Sequence, residues 1–164
     1  MKKIIRKGVF EINSSSCHSI SVVMDSLEFV KVHVSGGIFY IYSNDFGWEQ
    51  YEYSHYSNKC SYLAIYIRDW CDDRQQEFRN IFEQCIKDFT QCLEIEYEDL
   101  FWEGGWDKGH IDHQSVEGCV YHYLFDKDDP DYVEGQLKNF LFNLNSTLTT
   151  DNDNRSDYGD WMSW

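Results

Sequence analysis

The stretch QQEFRNIFEQCIKDFTQC, residues 75–92, places an apolar side chain every three or four positions. Phe78, Ile81, Phe82, Cys85, Ile86, Phe89 and Cys92 fall on one stripe, opposite Arg74, Arg79 and Asp88, and this period predicts an amphipathic helix rather than a strand. Upstream, SNKCSYLAIYIRDW at 57–70 repeats the pattern through Cys60, Leu63, Ala64, Ile67 and Cys71, with Ser57 or Asn58 as the expected cap. Downstream, Asp129 before Pro130 matches an N-cap with proline at the first helical position. It opens a third helix carrying Tyr132, Val133, Leu137 and Phe140.

Around these helices the period changes to two. SISVVMD, LEFVKVHV and IFYIY read as strands, with Ser35, Gly36 and Gly37 forming a turn, because glycine takes the positive φ that tight hairpins require. LEIEY at 93–97 and FLFNLNSTL at 140–148 read as two more. NDFGWEQYEYSHYS (44–57) reads as a loop or irregular edge and FWEGGWDKGHIDHQS (101–115) as a glycine-broken loop, and the tail TTDNDNRSDYGDWMSW is polar with an aromatic finish. No repeats, no low-complexity linkers and a single proline predict one compact α+β domain over 1–164, a mixed or antiparallel sheet packed against two or three helices.

Composition narrows the function classes. The chain carries 29 acidic against 14 basic side chains, a formal net charge of −15, which repels nucleic acid and favours basic partners. The opening MKKIIRK is basic, whereas 94–134 holds thirteen acidic residues, including Glu94, Glu96, Glu98 and Asp99, against Lys108 and Lys127. Such a surface can imitate a phosphate backbone. Trp102 and Trp106 lie in the same segment and are candidate contact anchors. No run approaches the roughly 18 apolar residues needed to span a bilayer, and the basic start has no apolar stretch long enough for a secretory signal. The expected location is the cytoplasm, where thiols stay reduced, so the six cysteines are expected as core residues or ligands rather than disulfides.

Three serines, a cysteine and a histidine in NSSSCHS stand out near the start. In an extended segment Ser14, Ser16 and His18 share one face and Ser15, Cys17 and Ser19 the other, so Cys17 and His18 point apart and do not form an adjacent nucleophilic pair. The serines alone satisfy backbone groups in a turn. His18 is also a candidate zinc ligand, with His110, His113 and Asp112 in GHIDHQS and Cys119 and His122 in CVYH as possible partners. Calcium fits poorly: counting from Asp151, Ser156 stands where an EF-hand requires glycine and Met162 where it requires glutamate. EGGWDKG lacks the Gly-Lys-Ser/Thr of a phosphate loop.

Six blocks, FEINSSSCHS at 10–19, FGWE at 46–49, KCSYL at 59–63, HIDHQS at 110–115, FLFN at 140–143 and the late DNDN, together resemble a group of small bacteriophage-encoded proteins that begin with a Phe-Glu-Thr-Asn-Ser-Ser-Ser-like signature. Here Ile12 replaces the threonine and Cys17 a small polar residue, so the resemblance favours His18 over Cys17. It implies one polar site drawing on Glu11, Asn13, Ser14, Ser15, Ser16, His18, Asp112, His113 and Asp153, with zinc on His18 and His113 completed by Asp112 or Asp153. Together with the small size and the −15 charge, the phage-like signature suits a counter-defence role in an infected bacterial host. The expected partner is a host defence nuclease, such as a type II CRISPR effector, or another basic nucleic-acid-binding protein. That anti-CRISPR role involves neither direct nucleic-acid binding nor a membrane. The alternative is a metal-dependent hydrolase or transferase acting on a nucleotide or modified protein, with Glu11 as general base.

Overall fold

The first helix, α1 (Tyr56–Trp70), is buried on nearly every side, from Tyr56 to Ile67 with only Asn58 half-exposed. A helix buried all round needs neighbours all round. In this computed structural model, which describes residues 4–8, 17–23, 29–47, 49–96, 99–102, 108–112, 124–125 and 129–151, those neighbours are two helices and strands from two small sheets. The helices are α2 (Gln75–Cys92), reached through a short 3-10 turn, and α3 (Pro130–Phe142).

Among the described residues nine short strands complete an α+β fold: β1 (Ile4–Gly8), β2 (Cys17–Val23), β3 (Val34–Ser35), β4 (Ile38–Ile41), β5 (Asp45–Phe46), β6 (Tyr51–Tyr53), β7 (Asp99–Trp102), β8 (His110–Ile111) and β9 (Thr147–Asp151). They form a four-stranded antiparallel sheet in the order β1-β2-β9-β6, a mixed sheet β3-β4-β7 and a parallel pair β5-β8. The β3–β4 turn falls on Gly36 and Gly37, whose φ of 57° and 77° are the two positive values a two-residue hairpin of this hand requires.

The α2 stripe enters the core as its spacing predicts. Phe78, Phe82, Cys85, Ile86 and Phe89 are buried, and Phe89 stacks on Phe142 of α3 with ring centres 3.9 Å apart. Cys92 is exposed, because the helix ends there and its last turn runs past the core. Asp129 caps α3 as expected, its Oδ1 accepting from the Asp131 and Tyr132 amides.

Several expected boundaries move. FLFN is the last turn of α3 rather than a strand: Phe140, Leu141 and Phe142 are all buried, and the returning strand starts at Thr147. The segment LEIEY begins as a turn, with Glu94 at φ 56°, and the strand follows at Asp99–Trp102, parallel to β4. Within LEFVKVHV the described residues, 29–34, contribute a bridge from Phe29 to Asn143 and the start of β3. The cap of α1 is His55, whose Nδ1 accepts from the Ser57 amide, not Ser57 or Asn58. The 44–57 segment supplies β5 and the edge strand β6, and the expected loop at 101–115 contains the end of β7 and all of β8.

One polar node ties α1, α3 and the main sheet together. Lys59 is 0% exposed, and its Nζ donates to the Asn143 and Ser146 carbonyls, each at 3.0 Å, while facing the Phe140 ring at 5.8 Å. Asn143 Nδ2 donates to the Val23 carbonyl, and the Val23 amide donates to Ser146 Oγ. An ammonium at a helix C-terminus meets carbonyls that lack intrahelical donors, so the charge is compensated by dipoles rather than by a carboxylate.

Candidate functional site

Strand register brings Cys17 and His18 of one polar block beside Asp151 of another at one end of the four-stranded sheet. β2 starts at Cys17 and β9 finishes at Asp151, and these two residues pair. One step inward, His18 lies opposite Thr150, and Thr150 lies opposite Tyr51 at the start of β6, so three adjacent strands contribute one row about 10 Å wide.

Thr150 is buried at 1% exposure and donates from Oγ1 to the Glu49 carbonyl at 2.6 Å, which fixes the approach to β6. Three residues earlier, at most about 11 Å of chain, the Phe46 carbonyl accepts from the Asp112 amide at 2.8 Å. That bond extends the parallel β5–β8 register, Asp45 with His110 and Phe46 with Ile111, by one residue.

The approach to β8 is held from beneath by α1. Arg68 donates from Nη1 and Nη2 to the Lys108 and Gly109 carbonyls, both at 3.1 Å, while pairing with Asp69. Gly109 has φ 82°, and a Cβ there would stand 2.7 Å from both the Asn44 carbonyl oxygen and Ile65 Cδ1. Glycine is required on both counts, conformation and space. Asn44 is anchored in turn by its backbone N–H, which donates to Ser61 Oγ.

Of the expected polar and metal residues, His18 is placed by backbone register in β2, and Asp112 is half-buried at the end of β8. Glu11, Asn13, Ser14, Ser15, Ser16, His113 and Asp153 lie outside the described residues, as do Cys119 and His122. In sequence, Ser16 immediately precedes β2, His113 follows Asp112, and Asp153 is two residues beyond β9. Among the described residues no three histidine, cysteine or carboxylate side chains form a group able to hold a metal.

The remaining blocks have a different role. KCSYL and FLFN meet through the Lys59 bonds beneath α3, a core junction rather than a site. Its signal in the sequence is a lysine directly beside Cys60, a member of the apolar stripe of that helix.

The expected partner-binding residues divide similarly. Glu94 and Glu96 are exposed just beyond α2. Asp99 and Trp102 are the two ends of β7, paired with Ile38 and Ile41, while Glu98 and Trp106 lie outside the described residues. Asp129 and Asp131 add exposed charge at the start of α3. Behind them Glu134 is half-buried, and burial, followed by the nearby Asp88 carboxylate, holds its pKa above the ordinary carboxylate value.

Comparison with protein-family models, curated proteins and solved structures gives no match to this chain.

Proposed function

We propose that the protein is a bacteriophage counter-defence inhibitor that occupies the basic nucleic-acid-binding surface of a host defence nuclease, with a type II CRISPR effector as the specific target. The supporting observation is charge: a formal −15, from 29 acidic against 14 basic side chains. Arg68, Arg74 and Arg79 each pair with a carboxylate of their own helical segment, and Lys59 is enclosed in the core. Exposed carboxylates such as Glu94, Glu96, Asp129 and Asp131 are left to face solvent. An acidic exterior of this kind accelerates encounter with a basic channel and competes with the nucleic acid made for it.

The test is inhibition of purified nucleases across a salt series, with Glu94, Glu96, Asp129 and Asp131 changed to the neutral amides. Loss of inhibition in the variant and at high salt is expected. Unchanged inhibition under both conditions would overturn the electrostatic account.

Zinc in this proposal is structural, held by His18 and His113 with Asp112 or Asp153, and contributes folding free energy without catalysis. The register that brings β2, β8 and β9 towards one end of the sheet supports drawing ligands from those segments. Metal analysis of purified protein should give zinc that is lost in His18→Ala and in His113→Ala; full retention in both removes them from the shell. The same gathering of polar segments favours a second reading, a metal-dependent hydrolase or transferase acting on a nucleotide or modified protein. Turnover of a nucleotide panel that stops on chelation would decide for it.

A further inference from the structure

The two edges of the main sheet differ in chemistry. β1, at one end of the strand order, has the sequence Ile-Ile-Arg-Lys-Gly and two cationic residues. β6, at the other end, is Tyr51-Glu52-Tyr53, and among the described residues no strand pairs with its outer side.

The side chains of β6 make an unusual edge. Tyr51 is 52% exposed and Glu52 is exposed, with exposed Glu49 two residues before Tyr51. Tyr53 is seated edge-on against the buried Phe46 ring at 5.3 Å, and the Tyr51 ring lies 5.9 Å from Tyr53. The Tyr51 hydroxyl is hydrogen-bonded to Glu49, whose carboxylate raises the phenol pKa. Aromatic faces and two carboxylates therefore sit beside an open backbone ladder.

We infer that β6 is a docking edge that adds an extended, lysine- or arginine-bearing segment of a protein partner as a further strand. Main-chain bonds to the outer edge of β6 supply affinity, while Glu49, Glu52 and the face of Tyr51 select cationic side chains. Charge decides the occupant. A second copy pairing through its own β6 brings Glu52 against Glu52, a like-charge cross-strand pair, and an acidic segment meets the same repulsion. Nucleic acid meets it too.

This inference rests on the reading that the partner is basic, and it names the strand that engages it. The probe is an alternating lysine-valine octapeptide added to the full chain, with an alternating glutamate-valine octapeptide as control. Hydrogen exchange at the 49–53 amides reports pairing, and titration calorimetry reports affinity. The lysine peptide should slow exchange there, and Glu52→Lys should weaken it at least about tenfold, while Glu94→Lys leaves it within about twofold. Unslowed exchange at 49–53, equal binding of the glutamate peptide, or a dimer already closed through β6 in the free protein would each overturn the inference. Slowed exchange at 49–53 without any nuclease inhibition upholds the docking edge and sinks the inhibitor proposal. Nuclease inhibition indifferent to Glu52→Lys, with no slowed exchange, sinks the edge alone.

Discussion

Lys59 carries the only charged side chain among the described residues with no solvent exposure. Burial pulls its pKa down from the ordinary 10.5 to about 8, with the neighbouring Cys60 opposing that shift. Between pH 8 and about 10.4 the unfolded chain keeps a proton that the folded chain has released, so stability rises with pH across that window and is lowest below it. The span corresponds to about 3 kcal/mol. Replacing Lys59 with methionine removes this cost and takes the Nζ donor from the Ser146 carbonyl, while the Asn143 carbonyl keeps the Ser146 amide as a donor at 3.2 Å. The stability gap between Lys59→Met and wild type should therefore shift against the variant by about 3 kcal/mol between pH 7 and pH 10, because only the wild type gains across that window. Urea titrations at both pH values check this; a gap independent of pH would show that the lysine is not perturbed.

Helix α1 depends on an acceptor that titrates. His55 caps it only while Nδ1 is unprotonated and accepts from the Ser57 amide, and burial, then the Lys59 charge, lower the His55 pKa below its ordinary value of 6.5. A lowered folded value means that the cap's contribution is complete above pH 6.5 and is lost as pH falls through the folded pKa. A cap of this kind is worth about 1 kcal/mol. Thermal melts between pH 7 and pH 5 should show wild type losing stability relative to His55→Ser, whose hydroxyl caps at every pH in that range. Parallel profiles would contradict the assignment.

Elements of this chain were legible in proportion to their length and their number of turns. The α2 stripe and the Asp129-Pro130 start of α3 repeat a local rule often enough to stand out. The alternation of Phe140, Phe142 and Leu144 misled because the end of α3 is buried around much of its circumference, so neighbouring positions are all apolar. Strands of two or three residues, β5, β6 and β8, are too short to display any period, and the parallel β4–β7 pairing joins segments far apart in sequence. The candidate site was legible as a set of polar blocks. Their arrangement was not, because it is written in register: His18 opposite Thr150, Thr150 opposite Tyr51, and Asp112 bonded to Phe46. Glu49, whose carbonyl anchors Thr150, carries no signal in its own side chain.

At the scale of the whole molecule the excess of 29 acidic over 14 basic side chains acts on the free chain and on its complexes with opposite sign. Within the free chain it is self-repulsion, relieved by salt; towards a cationic partner it is attraction, weakened by the same salt. Raising sodium chloride from 10 mM to 150 mM shortens the screening length from about 30 to about 8 Å. Over that range the melting temperature should rise by a few degrees while association with a basic partner slows. Scanning calorimetry and stopped-flow binding on the same preparation read both, and a melting temperature that falls with salt would mean that attractive pairs dominate the surface.

The antiparallel pairing of Cys17 with Asp151 sets an order for biosynthesis. When β2 leaves the ribosome, the strand that completes its other side has not been translated, and the α3 residues that hold Lys59 are equally far behind. The β1–β2 hairpin therefore waits with one flank unzipped until β9 is made, while α1 and α2, built from local contacts, can already coil. Completion of the sheet in consequence follows the helices, and crowded nascent chains are most prone to pair wrongly just before β9 arrives.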